Sequence, residues 1–524
     1  MNWRHYLILF IFGLIVPFTI TRFQNMPGYM DADYYFAGGT ELAKGNGFTE
    51  HYLWNYLDDP KGIPHPSHTY WMPLASIISA IGMWIAGTTS YAAGRFPFIL
   101  LSACVPLLVA SLAFDISRNR LIAMVSGFLS IFSMYYASFM GVPDNYAIFM
   151  LLGAAFLLLA PRKQKWIPIV LGILSGLMTL ARSDGLLWLG LAGLVVMCKA
   201  ATKDDGTKNS FMGWLKLIIP AGLLTLLGYF IIMGGWHYRN YTLFGSFMTP
   251  GGGRLLWLQN YSQTFIYPAE RLTRESFLQA GWSAALNVRL KAFVANIGNV
   301  FAAQGEIFLF PFILMGLWQL RKEFRTRIAV TGWLLLLFVM TVIFPFAGAR
   351  GSFFHAGAAF QPMWWVAAPV GLNAVLLWAR KRGQFTDKNA PYVFQGMLVV
   401  LALVSTVWLV NFRVIDNPTN EEGSYADAEK MFLENGISSD VAVIVSNPPG
   451  YYINSGRPAI ALPYGDASVA LQVAKRYGAG LLVLDASGAL DWTKELYENP
   501  NSSDAFIYLG EADGSKLYRI NPEH

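Results

Sequence analysis

The sequence predicts a polytopic α-helical membrane protein with a small α/β domain at its C-terminal end, and three observations carry that prediction. Hydrophobic residues make up 55% of the 524-residue chain and charged ones only 13%, outside the range of ordinary soluble domains. Apolar runs long enough to cross a bilayer recur along residues 1–411. Residues 412–524 instead carry 8 Lys/Arg against 16 Asp/Glu and read as short buried strands with a helix between them. The chain is therefore expected to divide into a basic membrane domain, 1–411, and an acidic soluble domain, 412–524.

The spanning runs lie near 6–21, 96–114, 121–138, 144–160, 167–181, 184–199, 216–236, 303–320, 328–346, 357–379 and 393–411, about eleven in all. The first, "YLILFIFGLIVPFTI", lacks a small-residue cleavage site after it and is read as a retained span. A further run, "WMPLASIISAIGMWIAG" at 71–87, is short and holds Pro73 near its start. Cytoplasmic loops collect Lys and Arg, and that rule decides whether 71–87 crosses. If it does not, the inner loops hold 18 Lys/Arg against 5 Asp/Glu, among them "PRKQK", "KAATKDDGTK", "RKEFRTR" and "ARKRGQFTDK". Residues 71–87 are accordingly read as an interfacial or partly inserted helix.

This topology turns almost everything polar and unusual to the outer face. Long outer loops are expected at 22–95 and 237–302, with shorter turns at Asp144, at Arg182 and Asp184, and at "ARGSFFHAG". The tail is expected outside as well. Within it "VAVIVS", "PAIALP" and "LLVLD" read as strands, "DASVALQVAKRYGA" as a helix with an acidic cap, "AFIYLGEADGSKLYRI" as a hairpin, and "NPPGYYINSGRP" as a structural turn. Cys104 and Cys198 both fall inside apolar runs, which argues against a disulfide or a cysteine metal site.

The outer motifs carry a resemblance. A first span is followed by "GYMDADYYFAGG", then "GNGF", then "PHPSHTYWMPL" leading into an apolar helix. Further on come "GVPDNYAIF", "GLMTLARSDGLL" and "WHYRNYTLFG". In order and sidedness these resemble the GT-C glycosyltransferases, and within them bacterial relatives of the protein O-mannosyltransferases and the lipid A aminoarabinose transferases. Over roughly residues 1–380 the resemblance implies a polyprenyl-phosphate sugar donor and a protein, lipid or glycan acceptor. Relatives often have Asp-Glu where this chain has Asp31-Ala32, with its second acid displaced to Asp33.

Such a transfer needs a carboxylate for the acceptor proton, cations for the departing phosphate and an apolar groove for the prenyl chain. Asp31, about ten residues past the first span, is the candidate base, as burial near a membrane moves a carboxyl toward general-base strength. Asp144, at the outer start of a span, is the second catalytic candidate, although an acid there also complements the helix dipole. Asp33, Tyr34 and Tyr35 are expected to support substrate binding. Arg182 and Arg239 suit the lipid phosphate because a guanidinium engages two oxygens at once, against the plainer reading of snorkelling side chains. Arg350, His355, Lys44 and Lys61 are further candidates.

His65 and His68 stand at metal-ligand spacing, but Pro64 and Pro66 oppose a helix there, so a divalent metal is left open. The rings of "YYF", "YLWNY" and "TYW" suit either a sugar face or the membrane interface. No Walker loop, dinucleotide fingerprint or nucleic-acid motif occurs, which disfavours a nucleotide-sugar donor and a nucleic-acid partner. The rival reading is a lipid or solute transporter, which would need ionisable groups within its spans or on both faces.

Overall fold

The computed structural model describes residues 1–201, 207, 209–385, 387–416, 421–485 and 491–521. Two compact units account for the chain: one of Met1–Phe23, Arg95–Met248 and Arg289–Asn417, the other of Gln24–Gly94, Thr249–Val288 and Pro418–His524. The border expected at 411/412 falls in a wide helical turn, Asn411–Ile415. Residues 417–420 beside it, and most of "KAATKDDGTK", lie outside the described residues.

The first unit is built from apolar helices. Among the described residues seven helices are long and apolar enough to cross a membrane: Trp3–Thr21, Tyr91–Ser117, Ser183–Ala201, Phe211–Phe244, Phe324–Ile343, Gln361–Arg380 and Ala390–Ile415. The other four expected runs form shorter helices, Arg120–Ile131, Tyr146–Leu159, Ile167–Ala181 and Phe310–Gln319. The run at 121–138 is cut at Phe132 and continues as a tighter 3₁₀ helix, Met134–Phe139, which apolar composition could not reveal. Helices Ile167–Ala181 and Phe211–Phe244 meet where Gly172 faces Thr225 and Gly228 faces Ile169, since any Cβ at those glycines would strike the opposite backbone. Small residues at such crossings give membrane helices their packing contact.

Helix Leu74–Ala86, from the doubtful 71–87 run, has 13 residues and ends at Gly87 with φ 65°. At about 1.5 Å per residue it falls short of a hydrocarbon core about 30 Å thick. Ile81, Trp84 and Ile85 are exposed on it.

The second unit centres on a six-stranded sheet in the order Tyr52–Leu53, Ala459–Ala461, Ala442–Val445, Ala479–Leu484, Ser515–Ile520, Phe506–Ala512. The first four are parallel and the last two form the expected hairpin. Parallel strands are covered on both faces, which is why they read as unbroken apolar runs. The helix Ala467–Tyr477 is capped by Asp466, whose carboxylate accepts from the Val469 N–H. Strand Tyr52–Leu53 comes from the first long loop, so that loop and the tail share one sheet.

One expectation in the tail is overturned. "NPPGYYINSGRP" is not a turn but a helix, Pro448–Ser455, with Asn447 as its cap and Gly456 closing it at φ 72°. Its prolines occupy the first helical turn, where a missing N–H costs nothing and the fixed φ is already helical. The helix packs Ile453 against Phe36, Met83, Tyr91 and Ala93. Behind it, fully buried Arg457 forks onto Glu429 (Nε to Oε2 2.7 Å, Nη2 to Oε1 2.8 Å) and donates to the carbonyls of Ser438 and Val441.

Candidate functional site

Asp31 and Asp33 both fall in the first turn of helix Met30–Ala43, where the dipole favours negative charge. Asp31 is half-buried, while Asp33 is only 4% exposed and accepts from the Asn447 amide at 2.8 Å. Further along the helix, Glu41 is fully buried and accepts from Tyr452 Oη and from Asn46 Nδ2, both at 2.8 Å. Asn447, Glu41 and Tyr452 did not stand out in the sequence, because their partners lie some four hundred residues away in the chain.

Tyr34 and Tyr35 are buried inside the second unit. The Tyr34 ring meets Tyr52, His68 and Trp71 edge-on, and its hydroxyl accepts from the His68 N–H at 2.7 Å. His65 and His68 are also brought inside, with separate partners. His65 lies in a short strand paired to Thr49–Glu50, its Nε2 3.1 Å from Glu50. Burial pushes the Glu50 carboxyl up against the pull of His65, and burial that would lower His65 is outweighed by Glu50, which raises it. His68 lies between Ser67 and Ser76, with ring nitrogens 2.7 and 3.0 Å from their hydroxyls. Among the described residues no group of three His, Cys, Asp or Glu could hold a metal ion, and the two histidines do not converge on one. Lys44 and Lys61 are exposed.

In the first unit the structure brings together Asp144, Tyr146, Arg182, Asp184 and His355. The break between helices Ile167–Ala181 and Leu186–Ala201 leaves Arg182 in extended backbone, and Gly185 is needed because a Cβ there would lie 2.2 Å from the Met178 backbone. Arg182 turns back onto Asp184, with Nε and Nη2 3.2 and 3.0 Å from Oδ2. His355 stacks on Tyr146 at 4.3 Å between ring centres, and its Nε2 is 2.8 Å from the tyrosine hydroxyl. Its Nδ1, buried without a hydrogen-bond partner, lies 3.7 Å from Oδ1 of Asp144. Burial, and then the charge of Arg182, holds the His355 imidazole well below its ordinary range, so it is neutral at neutral pH. Neutral, it offers one ring nitrogen to the Tyr146 hydroxyl and turns the other toward the Asp144 carboxylate. Nothing local to "GVPDNYAIF" marks Tyr146 as the partner of His355, which lies 209 residues further along the chain.

Arg239 lies in the last two turns of the long helix Phe211–Phe244, not in a loop. Its guanidinium covers the Trp236 ring at 4.5 Å and donates to Asn240 at 3.1 Å. Arg350 is exposed in the turn Gly348–Ser352, where Gly351 takes φ 118°.

No protein-family model matches the chain, and no curated protein does. The fold, however, is shared with solved structures. ArnT from Cupriavidus metallidurans, solved bound to undecaprenyl phosphate, matches over 99% of this chain and 98% of its own, with a TM-score of 0.57 and 12% identity. The oligosaccharyltransferase AglB from Archaeoglobus fulgidus, solved with an inhibitory peptide and a dolichol-phosphate, matches over 99% of this chain and 75% of its own, with a TM-score of 0.52 and 12% identity. The apo form of the Archaeoglobus fulgidus enzyme matches over 94% of this chain and 70% of its own, also at a TM-score of 0.52 and 12% identity. Likeness at these identities establishes fold alone, and the fold shared with ArnT and AglB is that of a polytopic helical protein with a smaller sheet-containing part, as the sequence led one to expect.

Proposed function

We propose that this protein transfers a glycosyl group from a polyprenyl-phosphate-linked sugar to an acceptor on the outer face of the membrane. The observation that carries the reading is the shared fold, over nearly the full length of both chains, with an enzyme solved with undecaprenyl phosphate in place. One architecture hosts many substrates, so the fold supports the reaction class and leaves sugar and acceptor to experiment. In the proposed step the acceptor oxygen or nitrogen attacks the anomeric carbon as the bond to the lipid phosphate breaks. Asp31 takes the acceptor proton, Asp144 assists with His355 beside it, and Arg182 and Arg239 meet the charge that grows on the departing phosphate. Purified protein incubated with a panel of polyprenyl-phosphate sugars should consume at least one of them, and surface glycans and lipids should lose a modification when the gene is deleted. No consumption of any donor together with unchanged glycans and lipids would sink the reading.

Arg182 supplies a graded test. Lysine keeps the charge but loses the fork that Arg182 presents to paired oxygens, so Arg182→Ala should impair donor use more than Arg182→Lys. Equal impairment by both would assign Arg182 a packing role.

We also propose that the outer loops and the C-terminal segment face out of the cytoplasm. In a background lacking Cys104 and Cys198, Thr49→Cys and Ser502→Cys should react with an impermeant thiol reagent on intact cells and Thr207→Cys should not. The reverse labelling of positions 502 and 207 would mean that residues 71–87 cross the bilayer.

A further inference from the structure

We propose that Asn447, in the C-terminal segment, is a positioning residue for the acid-bearing helix Met30–Ala43, holding Asp33 so that Asp31 is presented to the acceptor; this rests on the glycosyl-transfer reading above. Asn447 is 6% exposed, and its two amide ends have different tasks. Its Oδ1 accepts from the Gly450 N–H at 3.2 Å and so caps helix Pro448–Ser455. That role fixes the orientation of the amide, and the Nδ2 end is left to donate to Asp33 Oδ2 at 2.8 Å. Glycine at 450 keeps the approach open, because a Cβ there would lie 2.6 Å from Asn447 Nδ2 and 3.1 Å from Asp33 Oδ2.

A second grip lies two turns along. The Tyr452 hydroxyl donates to Glu41 Oε1 at 2.8 Å while its ring stacks on His51 at 5.9 Å and 7° between planes. Asp33 and Glu41 are eight residues apart, so the two contacts lie about 12 Å apart along the helix and about 80° apart around it. Holding both ends fixes the helix in height and in rotation, which one contact alone would not do. Asp31 precedes Asp33 by two residues, about 200° around the helix, so the contacts that fix the helix in rotation also fix the direction in which Asp31 is carried. The clamp thus engages Asp33 and sets the position of Asp31 through the helix that carries both.

The test uses full-length protein in detergent, with Asn447→Ala and Asn447→Asp followed by amide hydrogen exchange over residues 30–43 and by pH-rate profiles of sugar transfer. Asp caps a helix as well as Asn does, so Asn447→Asp keeps helix Pro448–Ser455 while setting two carboxylates against each other. Such a pair shares one proton, so that variant should regain activity at lower pH than the parent. Asn447→Ala removes a hydrogen bond to a charged group and should lower kcat about ten- to a hundred-fold with KM for the donor unchanged. Both variants should exchange faster than the parent across residues 30–43 at neutral pH. Parental exchange in Asn447→Ala overturns the clamp. Faster exchange with a parental kcat and pH profile overturns the positioning role. A parent protein that transfers sugar from no polyprenyl-phosphate donor overturns the reaction reading and the positioning role together, while exchange alone still reports whether the clamp exists.

Discussion

Asp31→Asn is expected to accumulate in the membrane at the parental level, to bind a polyprenyl-phosphate donor, and to transfer sugar about two to four orders of magnitude more slowly. The substitution keeps shape and some hydrogen bonding but removes the oxygen that can take a proton. Its cost to folding should be small. Asp31 is half-buried in the first turn of its helix, where a carboxylate adds about 0.3–1 kcal/mol through the dipole. Asp33→Asn should behave differently. Its carboxylate is buried on the Asn447 amide, so an amide in its place can turn its own oxygen to that donor only by giving up the charge that strengthens the bond. The expected outcome is a moderate loss of activity with a measurable loosening of residues 30–43. Purified Asp31→Asn that transferred sugar at the parental rate would make the motif a structural helix start and the proposed mechanism wrong.

The membrane helices were legible because each apolar run carries its own signal, and the tail strands because parallel pairing leaves them apolar on both faces. Helix breaks were less legible. Nothing in the composition of "FSMYYASF" announces that the helix ending at Ile131 gives way to a 3₁₀ segment. Asp31, Asp144, Arg182 and His355 could be picked out because acids, arginines and histidines near span ends are unusual in themselves. Their partners could not. That Tyr146 faces His355, or that Asn447 holds Asp33, depends on segments about two hundred and four hundred residues apart, and no local pattern encodes such pairs. "NPPGYYINSGRP" misled for a local reason: Pro-Pro and Gly signal a turn, yet a capping Asn before them makes the same residues a helix start.

Arg457→Ala should produce the largest loss of stability, about 3–5 kcal/mol, read as lost hydrogen-exchange protection of strands Ala442–Val445 and Ala459–Ala461. The arginine is fully buried with Glu429 on its fork and two carbonyls on its remaining nitrogen. Removing it strips those carbonyls of their donor and leaves Glu429 with the Tyr451 hydroxyl, 3.0 Å away. Removing both charges should cost less, because the buried carboxylate no longer lacks its counter-ion; Arg457→Met with Glu429→Met should therefore be milder than Arg457→Ala alone. Arg457→Lys should fall between, keeping charge without the fork. The same substitution bears on function through a different route from Asp31→Asn. Tyr451 sits in helix Pro448–Ser455, so unpinning Glu429 loosens the helix whose Asn447 and Tyr452 grip residues 33 and 41. Arg457→Ala should thus slow transfer together with faster exchange over residues 30–43, whereas Asp31→Asn should slow it with exchange unchanged. Slow transfer by Arg457→Ala with a fully protected helix Met30–Ala43 would break that chain of contacts at its last link.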